Sequence, residues 1–407
     1  MIARCVIVGG GAAGVNAALS LRKLGYDGDI VLVCAEDRLP YERPAVSKDV
    51  LLTGRLPPIV PERVYAELRV DLRLGRRASR LRAGAVELDD GTELHTDKVL
   101  IATGGRVRQL RIPGAELSGV HYVRFANDGE AIRAELRPGA RVAVIGGGLI
   151  GAEVSASAIQ AGCDVDWIEA GYRCMTRSVS HPLDEALMAI HRERGVRIHT
   201  RMAVVRVLGD ARVAGVELSD GRRLDADVVV VGIGIDPDVD LARASGIDVD
   251  DGIVVDAFNA TSMPNVYAAG DVTHHKTRHM AAAGRLEHWR YAQSHGEAAA
   301  RSMLGRGEAF DELPWFWTDQ YDHHVEGCGL PRASDEVVVR GELGAGAATA
   351  FYLREGRLVG ATSLDRPNDV RAAMRLIARG LTPTHTTLQD THRDLRKVEK
   401  EMSHAIS

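Results

Sequence analysis

The stretch Cys5–Gly14 reads CVIVGGGAAG and decides the fold. It joins a short β-branched run to a G-x-G-x-x-G turn, and a helical run follows at 15–24. In such a turn, Gly9 permits the tight bend, Gly11 lets the backbone approach a pyrophosphate, and Gly14 lets helix and strand pack closely. The phosphates then lie at the helix N-terminus, where free N–H groups and the helix dipole favour negative charge.

A second copy of this pattern follows later in the chain. Val142–Gly151 reads VAVIGGGLIG and leads into the helical run 152–161. Its turn glycines are Gly146, Gly148 and Gly151. A single glycine turn is weak evidence of function, but two in one chain, each with its strand and helix, predict two bound dinucleotides.

An acidic residue follows each copy at the distance that a dinucleotide site requires. The apolar runs 30–36 and 165–169 end at Glu36 and Glu169. An acid about 20 residues beyond the glycine turn accepts hydrogen bonds from ribose hydroxyls. We therefore expect Glu36 and Glu169 to contact the two adenosine riboses.

Two further strand-glycine segments, 97–105 and 264–271, suggest that the chain returns to its first fold. The second glycine unit is then an insertion. Near the C-terminus, strand-like runs 336–341, 348–353 and 357–363 precede a helix with apolar residues at i, i+3, i+4 and i+7, namely Val370, Ala373, Met374 and Ile377. We predict an α/β protein with two Rossmann-like dinucleotide-binding domains plus a C-terminal α+β domain. The first dinucleotide-binding domain comprises 1–113 and 236–311, the second 114–235, and the C-terminal domain 312–407.

Composition narrows the class of protein. The chain has 407 residues, of which 45% are hydrophobic and 26% are charged, which is typical of globular domains. A net charge of −5 argues against a nucleic-acid binder. No apolar run reaches the ~18–20 residues of a membrane helix. The start of the chain does not have the pattern of a signal peptide.

The cysteines and histidines point to neither a disulfide framework nor a metal site. Five cysteines occur without any C-x-x-C pair, so a reducing, cytoplasmic setting is expected. The histidines at 274, 275 and 279 match no standard ligand spacing, and we predict no bound metal.

Four longer motifs carry a resemblance to a known family. They are PYERPAVSK at 40–48, VRFANDG at 123–129, RLEHWRYAQSHG at 285–296 and PWFWTDQ at 314–320. With the two glycine turns, they resemble the FAD-dependent, NAD(P)H-dependent ferredoxin reductases that serve aromatic-ring dioxygenases and haem-thiolate monooxygenases. These reductases belong to the glutathione-reductase-like flavoproteins, and the resemblance covers essentially the whole chain.

The resemblance implies roles for residues in both halves of the chain. FAD would be bound by Gly9, Gly11, Gly14, Glu36, Arg43, Lys48, Arg124, Asp271 and Trp317. The nicotinamide dinucleotide would be bound by Gly146, Gly148, Ile150, Gly151, Glu153, Glu169, Arg177, Gly234 and Glu287. The catalytic residues would be Lys48, as a cation beside the flavin, and Glu153, near the nicotinamide carboxamide.

The choice between NADH and NADPH depends on Glu169. A carboxylate at this position pairs with the 2′-hydroxyl of NADH and repels the 2′-phosphate of NADPH. Arg173 and Arg177 complicate this reading, because a guanidinium can bind phosphate. We expect NADH, with NADPH the less favoured substrate.

The implied reaction is hydride transfer from NADH to FAD, followed by single-electron transfer to a 2Fe-2S ferredoxin that feeds an oxygenase. Disulfide reductases and thiol peroxidases of this fold need a cysteine near the flavin, and 41–54 contains none. Two alternatives remain open. One is a reductase of rubredoxin or another redox partner, and the other is a non-catalytic FAD-binding signalling protein.

Ferredoxin docking is expected to be transient and electrostatic. Arg371, Arg375 and Arg379 recur every four residues and form one helical ridge. Arg393, Arg396 and Lys397 are further candidates, and these residues form either a docking surface or simply a solvated face. The residues at 323–329, HHVEGCG, depart from the apolar strand that the resemblance implies there.

Overall fold

The protein is described by a computed structural model that covers residues 2–344 and 346–404. These residues fall into two compact units. The first unit comprises Met1–Pro44, Leu56–Arg106 and Ile235–Pro314. The second unit comprises Ala45–Arg55, Val107–Gly234 and Trp315–Ser407.

The strands are named in chain order. Those up to residue 107 are β1 (Arg4–Val8), β2 (Asp29–Cys34), β3 (Val70–Leu74), β4 (Ala78–Arg82), β5 (Ala85–Leu88), β6 (Glu93–His95), β7 (Lys98–Ile101) and β8 (Gly105–Val107). The next are β9 (Val120–Tyr122), β10 (Arg141–Ile145), β11 (Asp164–Glu169), β12 (Arg197–Thr200), β13 (Val204–Gly209), β14 (Val213–Leu218), β15 (Arg223–Asp225), β16 (Val228–Val231) and β17 (Ile235–Pro237). The last are β18 (Val249–Asp250), β19 (Gly252–Val254), β20 (Val266–Ala268), β21 (Thr273–His274), β22 (Trp315–Gln320), β23 (His323–Gly329), β24 (Glu336–Gly341), β25 (Ala348–Arg354) and β26 (Arg357–Leu364).

The helices are also named in chain order. They are α1 (Ala12–Lys23), α2 (Asp49–Thr53), α3 (Glu62–Glu67), α4 (Ala126–Glu135), α5 (Leu149–Gln160), α6 (Leu183–Glu193), α7 (Asp240–Ala244), α8 (Trp289–Met303), α9 (Pro367–Ala378), α10 (His385–Gln389) and α11 (Leu395–His404).

The first unit is built on a parallel sheet with strand order β20-β7-β1-β2-β3. The expectation that 97–105 and 264–271 return to the first fold is confirmed, since β7 and β20 lie in the sheet of β1. Continuous β-branched runs suit strands covered on both faces. Helices α1 and α8 pack together closely, and a Cβ on Gly296 would overlap the carbonyl oxygen of Ala13.

The second unit contains a parallel sheet with strand order β12-β11-β10-β16-β9. It also contains an antiparallel sheet with strand order β22-β23-β26-β25-β24, against which α9 packs. The buried face of α9 includes Val370, Ala373 and Leu376, while Met374 and Ile377 of the predicted stripe are only partly buried. The predicted mixed α/β class, with strands and a helix at the C-terminal end, is confirmed.

The five cysteines are all buried and all unpaired. Burial raises the pKa of Cys5 to about 11 and that of Cys34 to about 12. None of the helices in the described part of the chain is long and apolar enough to cross a membrane.

Candidate cofactor sites and charged cluster

The first glycine turn connects β1 to α1 and leaves an open space at the helix N-terminus. Gly9 has φ +124°, and a Cβ there would overlap the carbonyl oxygen of Ala102. A Cβ on Gly14 would overlap the carbonyl oxygen of Gly9, so the helix can approach the turn only with glycine here. A Cβ on Gly11, by contrast, would meet no atom within 4 Å. This open space suits a pyrophosphate, which the first N–H groups of α1 can bind.

The helices begin three residues before the sequence predicted. Gly11 and Gly148 are the N-caps of α1 and α5, with extended backbones at φ −83°, ψ −171° and φ −81°, ψ −177°. Neither cap makes a side-chain hydrogen bond to its helix. The N–H groups of both first turns are therefore left for a ligand, as an anion site requires.

Beyond β2, the carboxylate of Glu36 is held by two side chains of the first unit. Its Oε2 accepts a hydrogen bond from the Tyr41 hydroxyl at 2.7 Å, and its Oε1 accepts one from Arg43 Nη2 at 2.9 Å. The Arg43 guanidinium also lies 5.5 Å from the ring centroid of Tyr41. The structure thus brings Arg43 to the predicted ribose acid, and its predicted place beside the flavin stays a prediction.

Asp271 and Glu287 also belong to the first unit. Asp271 follows Gly270, whose N–H donates a hydrogen bond to Nδ1 of the buried His295 at 3.1 Å. Glu287 Oε1 accepts a hydrogen bond from Arg285 Nη2 at 2.8 Å. The loop that carries Asp271 is therefore fastened to α8, which the sequence motif did not reveal.

The second glycine turn, between β10 and α5, repeats the geometry of the first. Gly146 has φ +111°, and a Cβ there would overlap the carbonyl oxygen of Gly232. A Cβ on Gly151 would overlap the carbonyl oxygen of Gly146, whereas one on Gly148 would meet no atom within 4 Å. The second turn thus offers a second phosphate-sized opening at a helix N-terminus. Ile150, one residue into α5 from its start, is 38% exposed.

Glu169 ends β11 with its carboxylate already oriented. Its Oε2 accepts a hydrogen bond from the N–H of Gly147, and its Oε1 accepts one from the N–H of Gly171, both at 2.5 Å. Arg173 is held elsewhere, since its Nε lies 3.0 Å from Oδ2 of the fully buried Asp184. Glu169 is therefore fixed beside the glycine turn, while the charge of Arg173 is balanced by Asp184.

Gly234, Arg177 and Arg124 are the remaining predicted contacts in the second unit. Gly234 has φ +100°, and the nearest atom to a Cβ there would be Nη1 of the exposed Arg177, at 3.6 Å. Arg124 precedes α4, and its backbone N–H donates a hydrogen bond to Asp128 Oδ2 at 3.0 Å.

A charged cluster in the second unit brings the two predicted catalytic residues together. Lys48 Nζ lies 3.2 Å from Glu153 Oε1 and 3.7 Å from Asp319 Oδ2. Glu153 is 5% exposed and also accepts hydrogen bonds from Ser47 Oγ and, at 2.7 Å, from Thr318 Oγ1. A carboxylate buried this deeply is costly unless hydrogen-bond donors and a cation surround it, as these three groups do here.

Trp317 lies on the same side of β22 as Asp319, since alternate residues of a strand share a face. Lys48 Nζ lies 5.8 Å from the centroid of the Trp317 ring. An aromatic face attracts a cation at this distance, so Trp317 contributes to holding Lys48 in place.

Sequence reasoning missed the roles of Ser47, Thr318 and Asp319. All three lie inside the motifs quoted from the sequence, within two residues of Lys48 or Trp317. Their position inside otherwise recognisable motifs was the available signal.

The histidines at 274, 275 and 279 do not belong to a group of side chains that could bind a metal ion in the described part of the chain. His275 Nε2 is 2.7 Å from the Tyr291 hydroxyl, and its Nδ1 is 3.1 Å from Thr273 Oγ1. Among residues 2–344 and 346–404, no three or more histidine, cysteine, aspartate or glutamate side chains are grouped to hold a metal ion.

Comparison with known proteins gives matches along nearly the whole chain. Residues 3–296 match the pyridine nucleotide-disulphide oxidoreductase family, and residues 315–399 match the reductase C-terminal domain. The ferredoxin–NAD(+) reductase component of the anthranilate 1,2-dioxygenase system of Burkholderia cepacia is 41% identical over 391 residues, covering 95% of this chain and 96% of its own. Rhodocoxin reductase of Rhodococcus erythropolis is 36% identical over 397 residues, covering 96% and 93% respectively.

A solved structure agrees with these relatives. Putidaredoxin reductase, in its covalent complex with putidaredoxin, superposes with a TM-score of 0.93 at 32% identity, covering 98% of this chain and 99% of its own. The resemblance drawn from the motifs, and the assignment to oxidoreductases, are therefore confirmed. The family uses FAD and NAD(P)H, and the two open glycine turns fit these two dinucleotides. The chain belongs to the pyridine nucleotide-disulphide oxidoreductase family and carries a reductase C-terminal domain, and its relatives include ferredoxin–NAD(+) reductase components of dioxygenase systems.

Proposed function

We propose that this chain is a ferredoxin reductase that takes electrons from NADH by way of FAD and passes them singly to a 2Fe-2S ferredoxin. The ferredoxin would in turn feed a ring-hydroxylating dioxygenase or a haem-thiolate monooxygenase. The observation that carries the proposal is the pair of equivalent glycine turns, each with an open space at a helix N-terminus. One relative is the ferredoxin–NAD(+) reductase component of an anthranilate 1,2-dioxygenase system, which supports a ferredoxin as the electron acceptor. Another relative is rhodocoxin reductase.

FAD would be bound by the first glycine turn, with Glu36 on the adenosine ribose and Asp271 on the ribityl or phosphate part. Arg43, Arg124, Lys48 and Trp317 would complete the site. When bound, FAD supplies the change from a two-electron donor to one-electron delivery that an iron–sulfur partner needs. Segments 1–113 and 236–311 would form the FAD-binding domain, 114–235 the NAD-binding domain and 312–407 the C-terminal domain.

NADH would be bound by the second glycine turn, together with Ile150, Arg177, Gly234 and Glu287. Preference for NADH over NADPH is supported by Glu169, whose carboxylate is held by the N–H groups of Gly147 and Gly171. A fixed carboxylate accepts a hydrogen bond from a 2′-hydroxyl and repels a 2′-phosphate. Arg173 is paired with the buried Asp184, which supports excluding it as a phosphate ligand.

Lys48 and Glu153 would act as the catalytic pair. Lys48 would place a positive charge beside the flavin, where it favours the anionic reduced form. Glu153 would keep this ammonium in position through its 3.2 Å contact, while Ser47 and Thr318 orient the carboxylate. The five cysteines are buried and none lies in 41–54, which supports electron transfer without a thiol intermediate.

The ferredoxin would dock near α9, although the arginine ridge is less basic than its sequence implied. Arg375 Nε lies 3.2 Å and Arg379 Nη1 2.6 Å from the buried Glu399. Arg371 lies 3.7 Å from the buried Glu326, and its side chain is 60% exposed. Arg371 is therefore the member of the ridge best placed to meet an acidic partner.

The decisive experiment is anaerobic titration of the purified protein with NADH, followed by addition of oxidised 2Fe-2S ferredoxin. We expect NADH to bleach the flavin absorption and two equivalents of ferredoxin to restore it. A colourless protein would overturn the proposal. Bleaching restored by rubredoxin and not by any ferredoxin would favour a rubredoxin reductase, while a flavin that NADH does not bleach would favour a signalling protein.

A further inference from the structure

A row of alternating charges runs through the second unit, beginning at the charged cluster. Lys48 lies between the carboxylates of Glu153 and Asp319, at 3.2 Å and 3.7 Å. The other oxygen of Asp319, Oδ1, lies 2.5 Å from Nδ1 of His324. Asp319 therefore bridges two cationic groups, with one oxygen toward each.

The row continues from His324 to a buried carboxylate. Nε2 of His324 lies 3.1 Å from Oε1 of Glu326, whose side chain is 3% exposed. Arg371 Nη2 lies 3.7 Å from the same oxygen. Oε2 of Glu326 is buried and has no hydrogen-bond partner among the residues that the structure describes. Such a carboxylate is costly unless cations stay beside it.

The geometry determines the charge of His324. A neutral imidazole has a single N–H donor, whereas each ring nitrogen here faces a carboxylate oxygen. Both contacts are hydrogen bonds only when both nitrogens carry a proton. Burial alone would lower the pKa of His324, but the hydrogen bonds to Asp319 and Glu326 outweigh it and raise the pKa above its ordinary value.

The other charged groups around His324 are compatible with protonation of both its ring nitrogens. Asp365 Oδ1 accepts a hydrogen bond from the backbone N–H of His324 at 2.7 Å, and its Oδ2 lies 2.7 Å from Nδ1 of His323. Arg371 opposes protonation of His324 through Glu326, but its side chain is largely in solvent, which screens its charge. Three carboxylates thus surround His324, from β22, from β23 and from the residue after β26.

We propose that His324 is a positioning residue for the flavin-side cluster: as an imidazolium it fixes Asp319, and Asp319 together with Glu153 fixes Lys48. This inference rests on the proposed function, because it assigns Lys48 to the flavin side. When His324 loses its proton, one hydrogen bond of the row is lost and a positive charge leaves the neighbourhood of Lys48. The reduced, anionic flavin is then less stabilised, so the flavin midpoint potential falls more steeply with rising pH across the pKa of His324.

The first measurement is the titration of His324 by NMR in the FAD-loaded protein with isotope-labelled histidine, the signal being assigned by its loss in His324→Gln. We expect a pKa above the ordinary value of about 6.5. Glu326→Gln should lower the proton affinity of His324 about tenfold or more, because a hydrogen-bonded carboxylate is lost. Lys48→Met should raise that affinity, since a competing cation no longer faces Asp319.

The second measurement is the flavin midpoint potential as a function of pH in the wild type, His324→Gln and His323→Gln. His323 is the matched control, because it is the neighbouring histidine of β23 and pairs with Asp365 instead of Asp319. We expect the steeper fall of the midpoint potential across the pKa of His324 in the wild type and in His323→Gln, but not in His324→Gln. A merely structural role would leave the shape of this profile unchanged.

Two results would overturn the inference. One is a pKa of His324 that does not respond to Lys48→Met, and the other is the same potential profile in the wild type and His324→Gln. A protein that binds no FAD would refute the proposed function instead, while the same histidine titration in the FAD-free protein would still decide whether His324 and Lys48 are coupled.

Discussion

Lys48 Nζ lies 3.2 Å from Oε1 of Glu153, a carboxylate that is almost entirely buried. Removing the lysine leaves this carboxylate without its ammonium partner, which is costly in a buried position. We expect Lys48→Met to slow flavin reduction by NADH at least tenfold, equivalent to about 1.4 kcal/mol, and to lower the melting temperature. Stopped-flow absorbance measures the rate.

The double variant Lys48→Met/Glu153→Gln separates the two effects. Neutralising Glu153 should restore much of the melting temperature, because no unpaired charge remains buried. The rate should stay low, since the cation is still missing. Recovery of the rate in the double variant would contradict a direct role for Lys48.

The open spaces at Gly11 and Gly148 predict that alanine at each position weakens the binding of one dinucleotide and not the other. Both residues have negative φ, so alanine fits their backbones, and its methyl group would enter the space assigned to a pyrophosphate. We expect Gly11→Ala to weaken FAD retention and Gly148→Ala to keep FAD but raise the KM for NADH several-fold. Each variant is the control for the other, and FAD loss in Gly148→Ala would reverse the assignment of the two turns.

Glu169→Gln tests the preference for NADH. The amide loses the charge that repels a 2′-phosphate, so kcat/KM should fall for NADH and rise for NADPH, changing their ratio by about tenfold or more. Steady-state kinetics with both nucleotides measure this ratio. Glu193→Gln, an exposed change at the end of α6, should leave it unaltered. A wild-type preference for NADPH would refute the role of Glu169.

Arg371→Gln tests docking on α9. Loss of this exposed charge should raise the KM for an acidic ferredoxin a few-fold at low ionic strength and have little effect at high salt, because salt screens surface charges. NADH–ferricyanide turnover should change little. Arg222→Gln is a suitable control, since Arg222 lies 2.7 Å from Asp220 and outside the candidate docking residues. Equal ferredoxin kinetics in both variants would argue against this surface.

Acid should destabilise the second unit through His191. This buried ring is hydrogen-bonded to Gln320 and Tyr321, and burial lowers its pKa from 6.5 to about 4. The unfolded chain therefore takes up the proton first, so stability is lost as pH falls from about 6.5 to about 4, by up to about 3 kcal/mol. Urea unfolding across this range should show the loss, and His191→Gln should reduce it, whereas the exposed His95→Gln should not.

Local patterns explain why much of the fold was predictable. Gly9, Gly14 and their counterparts Gly146 and Gly151 are required by contacts within a few residues or to the adjoining strand, so spacing alone revealed them. The predicted helices start three residues late, because Gly14 and Gly151, the last glycines of each motif, were assigned to the turn although they lie in the first turn of each helix.

The parts that escaped prediction depend on contacts between distant segments. Lys48 and Glu153 are 105 residues apart in the chain, and Thr318 is another 165 residues beyond Glu153. The arginine ridge appeared free because its counterions, Glu326 and Glu399, come from other elements and are buried. Charge patterns along one helix cannot reveal partners that the fold supplies.

Burial of the five cysteines affects how easily their thiols are oxidised. Reduced flavins that meet oxygen produce hydrogen peroxide, and peroxide attacks the thiolate form of cysteine. At neutral pH a thiol with a pKa of about 11 or 12 is almost entirely protonated, and Cys5, Cys34, Cys174 and Cys328 all have such raised values. If the reduced flavin reacted with oxygen instead of the electron acceptor, the hydrogen peroxide released would therefore oxidise these protonated thiols only slowly.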